Sequence, residues 1–173
     1  MDKAIIVGNA IAFISAMIMV LAGLMQNKKK IILTETIHIA LAVVSDLVLG
    51  GITGAIVNLV SMLRNYLCYK DKLNTPLKII IIVVASVLTI WFNNLGLIGY
   101  LPLISIITYT YFIDLKDVIK FKYIVIFSLA LWCIYDFTIH SNIFLLFDIL
   151  SILSNIVAII KIKNKKRGKN YDR

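Results

Sequence analysis

Apolar stretches alternate with short polar breaks along the whole chain, and the stretches fall at residues 4–25, 31–49, 52–69, 77–92, 96–113, 123–138 and 142–161. A helix needs roughly 20 mostly apolar residues to cross a bilayer. The fourth and sixth stretches are short, and Asn58, Ser61, Arg64 and Asn65 interrupt the third. The breaks are Gly50-Gly51, Asn74-Thr75-Pro76, Asn93-Asn94 and Ser141-Asn142, residue types that end helices and form turns. Lipid offers backbone groups no hydrogen-bond partner, so only helices or closed barrels span it. The ten-residue alternation of a membrane strand is absent. The pattern therefore predicts an all-α membrane protein with seven transmembrane helices. They form a single transmembrane domain over residues 1–163, with a basic, frayed tail at 164–173.

Composition agrees. Of 173 residues, 61% are hydrophobic, against about 45–50% in a soluble domain, and the mean hydropathy is +0.95. A chain this short cannot hide so much apolar side chain in a water-soluble core, so the lipid bilayer is its first partner.

The net charge of +9 raises nucleic acid as a partner, but the placement of the cations points elsewhere. Lys28, Lys29 and Lys30 follow helix 1. Arg64, Lys70, Lys72 and Lys78 surround the link from helix 3 to helix 4. Lys116, Lys120 and Lys122 lie between helices 5 and 6, and Lys161, Lys163, Lys165, Lys166, Arg167, Lys169 and Arg173 follow helix 7. Only Lys3 falls on the other side. This is the positive-inside pattern. It places the N-terminus outside and the C-terminus inside, and it excludes a nucleic-acid role. The first stretch has no small-residue cleavage site close behind it and reads as a retained helix.

Cys68 and Cys133 sit singly inside apolar stretches and read as small packing residues. His38 and His140 have no Cys, Asp or Glu at metal-ligand spacing. No HExxH, GxSxG, P-loop or paired catalytic acids occur. The expectation is a protein with no metal, no cofactor and no enzymatic activity.

Shifting the sequence by 90 positions aligns Ala40 with Ala130, Asp46 with Asp136, Ser61 with Ser151 and Asn65 with Asn155, and it sets Asn58 against Asp148. Polar matches carry weight in a chain this apolar. Helices 1–3 (about 4–70) thus match helices 5–7 (about 96–163), with 77–92 as a linker helix. This 3+1+3 plan makes two parallel repeats related by an axis along the membrane normal, and solute sites tend to lie between such repeats.

The repeat also marks candidate site residues. Asn58, Ser61 and Asn65 are spaced i, i+3, i+7, and Asp148, Ser151 and Asn155 repeat the spacing. Each triplet makes one polar stripe on a helix. The stripes face either a solute path or another helix as hydrogen-bonding glue. Asp148 is the sharpest of them, because a carboxylate inside a span is costly unless paired, protonated or wet. Trp132 is a candidate to line the same path. Asp46 and Asp136, at the outer ends of helices 2 and 6, are candidate gate residues or interfacial groups.

Three segments carry a family resemblance: GAIVNLVSMLRNYL in helix 3, NNLGLIGYLPLISIITYTY entering helix 5, and SLALWCIYDF in helix 6. Over about residues 8–161 the chain resembles the YgjV-type bacterial inner membrane proteins. More distantly it resembles the PQ-loop superfamily of SWEET sugar carriers and PnuC vitamin carriers. The resemblance implies a multi-pass protein of the bacterial inner membrane. The wider superfamily implies small-solute transport by two triple-helix bundles rocking around a central site, with Asn58 and Asp148 at the positions that face the solute. Pro102 matches the superfamily's helix-breaking proline, and it predicts a hinge that bends helix 5 near 101–105. The expected function is a small-solute transporter or facilitator for an unknown small polar solute. The alternative is a non-transporting membrane scaffold or accessory subunit. Homo-oligomer formation stays open.

Overall fold

The structure, a computed structural model, describes residues 3–49, 52–93, 96–138 and 142–171. These residues form α1 (Lys3–Leu24), α2 (Lys28–Leu49), α3 (Ile52–Tyr69), α4 (Thr75–Phe92), α5 (Leu101–Phe112), α6 (Val118–Thr138) and α7 (Asn142–Tyr171), and no strand occurs among them. A 3-10 turn, Ile98–Tyr100, leads into α5.

Local chemistry sets the helix starts. The Asn27 side chain accepts from the Lys30 N–H at 3.2 Å. Asn74 accepts from Leu77 N–H at 3.0 Å, with Pro76 in the first turn of α4. Asp117 accepts from Ile119 N–H at 2.8 Å. These side chains take the orphan donors that every helix start exposes. Pro102 also stands in the first turn, that of α5. This corrects the expectation of a break inside the helix, because a first-turn proline removes no helical hydrogen bond. The backbone irregularity lies just before it, in the 3-10 turn.

Among the described residues, four helices hold segments long and apolar enough to cross a membrane: Ile6–Leu24, Thr75–Phe92, Val118–Tyr135 and Phe144–Lys165. The segment Ile98–Phe112 is apolar but shorter. Helices α2 and α3 are more polar, yet their polarity is one-sided. On α2, Leu33, Ile37, Val44 and Leu47 face outward, while Ser45 is buried. On α3, Leu59, Leu63 and Tyr66 face outward, while Ser61, Arg64 and Asn65 are buried. The molecule thus carries large apolar side chains outside and polar or small ones inside, the distribution expected of a bundle in lipid.

The helices close into a ring. α1 packs on α2 and α2 on α3; α5 packs on α6 and α6 on α7; α7 returns to α1, and α4 bridges α3 and α5. α1 turns Ala12, Ser15, Ala16, Ala22 and Gly23 inward, a small-residue stripe that permits close helix approach. A Cβ on Gly23 would lie 1.8 Å from Ser154 Oγ and 3.1 Å from the Ser151 carbonyl oxygen, so only glycine fits where α1 crosses α7. Near the lysine-rich loops, Ile31, Ile32, Tyr109, Ile113, Phe121, Val125 and Leu129 pack into an apolar plug.

Candidate functional site

Inside the ring lies a cavity of about 560 Å³ to which all seven helices contribute. This size suits a small organic molecule. The cavity extends from Phe92, Asn93 and Gly99, beside the α4–α5 link, to Glu35, Arg64 and Asn155 at the opposite end. Beyond that end the apolar plug fills the space between α2, α5 and α6.

The polar stripes of α3 and α7 face this space. Asn58, Ser61, Asp148, Ser151 and Asn155 all line it, as do Trp132 and Pro102. Helical spacing brings Asp148, Ser151 and Asn155 to one face of α7, with Leu150, Leu153 and Ile156 outward. Asn65 does not line the cavity. It is fully buried, and its Oδ1 accepts from Arg64 Nε at 3.0 Å and from Arg64 Nη2 at 2.9 Å. The side chains of the candidate gates Asp46 and Asp136 lie outside the described residues, as does His140.

Glu35 and Tyr109 escaped the reading of the sequence, and Arg64 and His38 stand deeper in the bundle than their polar character alone suggests. Glu35 on α2 lines the cavity and accepts a hydrogen bond from the Tyr109 hydroxyl on α5. The Arg64 guanidinium lies 4.4 Å above the Tyr109 ring and donates to Thr110 Oγ1 at 3.3 Å. Glu35, Arg64 and Tyr109 thus join α2, α3 and α5. His38 lines the cavity one turn further along α2, with Nδ1 2.9 Å from the Ser15 carbonyl oxygen. A carbonyl cannot donate, so Nδ1 carries the proton and Nε2 is left as an acceptor. Glu35, His38, Ala42 and Ser45 form a periodic stripe on α2, and that spacing was the available signal.

The apolar pattern places Lys122 between helices 5 and 6, but it is fully buried in α6. Its Nζ donates to the Gly23 carbonyl of α1 at 2.7 Å and to Asn155 Oδ1 of α7 at 2.9 Å. Its charge is therefore shared between two oxygens rather than left in lipid. Two buried hydroxyls, Ser151 Oγ and Thr89 Oγ1, have no hydrogen-bond partner, and both residues line the cavity. No group of His, Cys, Asp and Glu able to hold a metal occurs among the described residues.

Outside the bundle core, Lys78 pairs with Asp114 at 2.7 Å. Partial burial pushes the Asp114 carboxyl up, but the hydrogen bond and charge of Lys78 outweigh it and hold the group below the usual carboxylate range.

Neither the curated proteins nor the solved structures contain a match to this chain. A family model described as "Bacterial inner membrane protein" matches residues 6–166, nearly the whole ring of helices. The chain therefore belongs to the Imp-YgjV family, and it is a multi-pass protein of the bacterial inner membrane.

Proposed function

We propose that the protein is a small-solute transporter or facilitator in which two three-helix halves rock about the central cavity. The observation that carries this reading is that Asn58 of α3 and Asp148 of α7 line one cavity. A polar stripe serving only as glue has no need of a space beside it. The helix order supports the 3+1+3 plan: α1–α2–α3 and α5–α6–α7 are packed in the same sequence, and each half meets the other twice, at α1–α7 and around α3–α5. The outward apolar faces of α2 and α3 support their being spans, which gives seven, with the N-terminus outside and the lysine loops inside. On this reading, the plug and the Glu35–Tyr109–Arg64 group close the cytoplasmic end. The 3-10 turn before Pro102 is the place where α5 can pivot.

A specific observation also favours the scaffold reading: Asn65 and Asn155 are bonded to buried cations of the bundle itself. One experiment separates the two. A cysteine replaces Ser61 in a background where Cys68 and Cys133 are serine. Intact cells and inside-out vesicles are then treated with an impermeant thiol reagent. A transporter exposes the residue from each side in turn, so both preparations label. If neither labels, the cavity lies on no path and the scaffold reading takes over.

A further inference from the structure

None of the charges at the cavity stands alone. Glu35 accepts from the Tyr109 hydroxyl, and the Arg64 guanidinium lies over the same ring. Arg64 in turn donates to Asn65 and Thr110. Asp148 is 7% exposed and has an interaction of its own. Lys122 reaches the wall through Asn155, to which it donates, and it bonds the Gly23 carbonyl as well. Two carboxylates thus stand against two cations, and the wall offers neither sign in excess.

The uncharged polar groups fall into two sets. Ser45 Oγ donates to the Gly8 carbonyl, Ser128 Oγ to the Ser105 carbonyl and Asn93 Nδ2 to the Gly96 carbonyl. Ser151 and Thr89 differ. Both line the cavity, Ser151 is fully buried, and neither hydroxyl has a hydrogen-bond partner. The Ser151 carbonyl already accepts from Ser154 Oγ at 2.8 Å and from Asn155 Nδ2 at 2.9 Å. What this turn of α7 leaves for a solute is therefore the hydroxyl. A buried hydroxyl without a partner is costly, and a solute that bonds it removes the cost. Ser61, 90 positions earlier on α3, lines the same space, and His38 adds a nitrogen acceptor. Between these groups the wall is Phe92, Ile106, Leu129, Trp132 and Phe144.

We propose that the cavity takes an uncharged solute: a compact aromatic or aliphatic body with one edge that both donates and accepts hydrogen bonds, as a carboxamide or an alcohol does. The Ser151 hydroxyl receives that edge, and the aromatic and aliphatic wall receives the body, the division of labour usual in small-molecule sites. An ion of either sign would shed its water and meet no excess of the opposite charge. It would have to take a partner from Glu35, Arg64 or Lys122. A solute with hydroxyls around its whole rim would press most of them against apolar side chains, where they lose water and gain no bond. This inference rests on the reading of the cavity as a solute site, and it deepens that reading by naming the solute class.

Benzamide, benzoate and benzamidinium share one shape and differ in charge, while glucose is uncharged but polar all round. Each is titrated at neutral pH into the purified full chain in detergent, with Trp91→Phe so that the fluorescence reports Trp132. Benzamide is expected to bind roughly tenfold more tightly than either ion, and glucose more weakly than benzamide. Ser151→Ala should weaken benzamide about fivefold and leave the ions unchanged. Without probe it should melt no lower than the unaltered chain, since no bond of the protein is lost. An ion bound as tightly as benzamide, tighter binding of glucose, or no binding of benzamide overturns the proposal. So does a lower melting point in Ser151→Ala, or benzamide binding that this change leaves intact, the result that partition into detergent would give. Labelling at Ser61 is read separately. Two-sided labelling with no preference for benzamide retires the uncharged class and leaves transport standing; preference for benzamide without labelling retires transport and leaves a pocket for uncharged molecules.

Discussion

The two seams that close the ring use the same device with different stiffness. At the α1–α7 seam, Lys122 is held by Asn155; at the α3–α5 seam, Arg64 is held by Asn65, the asparagine 90 positions earlier. In each case a buried cation bonds an asparagine and reaches across to the other half of the bundle. The first seam is built on backbone: Gly23 lets α1 touch α7, and the ammonium bonds the Gly23 carbonyl. The second is built on side chains: a guanidinium on a ring, a hydroxyl on a carboxylate and a 3.7 Å contact from Cys68 Sγ to the Ile113 carbonyl. Close backbone contact has few alternative arrangements, while long side chains can exchange partners. On the transport reading, the first seam is the side to turn on and the second the side to open.

The largest effect is expected at the fixed seam. Asn155→Leu leaves the buried Lys122 ammonium with one oxygen, so thermal unfolding in detergent should register a loss of about 1.5–3 kcal/mol. The double variant with Lys122→Met should recover part of it, since the unpaired charge is then gone. A loss below about 1 kcal/mol would mean that the seam does not depend on this pair. Gly23→Ala comes next. The added methyl meets Ser154 and the Ser151 backbone, an overpacking worth about 1–3 kcal/mol, and the same change at Ala12 to a larger residue offers a control within α1.

The open seam should respond differently. Arg64→Lys keeps the charge but loses the fork to Asn65 and most of the stacking on Tyr109, at about 1 kcal/mol. Its signature is kinetic: the cysteine at position 61 should label faster in inside-out vesicles. Unchanged labelling would remove the distinction between the seams. The smallest effect belongs to Asp114→Asn at the bundle surface, about 0.2–1 kcal/mol because the carboxylate is well exposed. Asp114 titrates below its unfolded value, so its contribution is present above pH ~4 and disappears as the pH falls through the folded value. The aspartate and asparagine forms should therefore converge in melting temperature under acid conditions.

Much of this was legible in the chain. Two helix ends sit where the glycine and asparagine breaks put them, with α2 ending at Leu49 and α4 at Phe92. The ends beside the lysine-rich segments run past the apolar ruler. α2 starts at Lys28, α6 at Val118, and α7 continues to Tyr171 instead of fraying from Lys163. Apolarity measures the bilayer, not the helix, and Asn27 and Asp117 cap helices outside the apolar stretch. The stripes of α3 and α7 were readable because polar residues recur there at helical spacing. Glu35 and Lys122 were missed for one reason. Charges near loops are usually solvated, and only packing reveals that Lys122 turns inward to Gly23 and Asn155.

The one-sided polarity of α2 and α3 also bears on how the protein enters the membrane during synthesis. A charged residue near the middle of a lone helix costs about 2.5–3.5 kcal/mol on insertion scales. α3 carries Arg64 with Asn58 and Asn65, and α2 carries Glu35 with His38. Neither helix offers the translocon a segment as apolar as α1 or α4. α1, already in place, can shield the polar face of α2, where Ser45 Oγ donates to the Gly8 carbonyl at 2.9 Å and Ser15 Oγ donates to the His38 carbonyl at 2.8 Å. The Arg64 donor to Thr110 finds its acceptor only when α5 emerges, 46 residues later. That donor of α3 therefore has no acceptor on α5 until the chain has been made through Thr110.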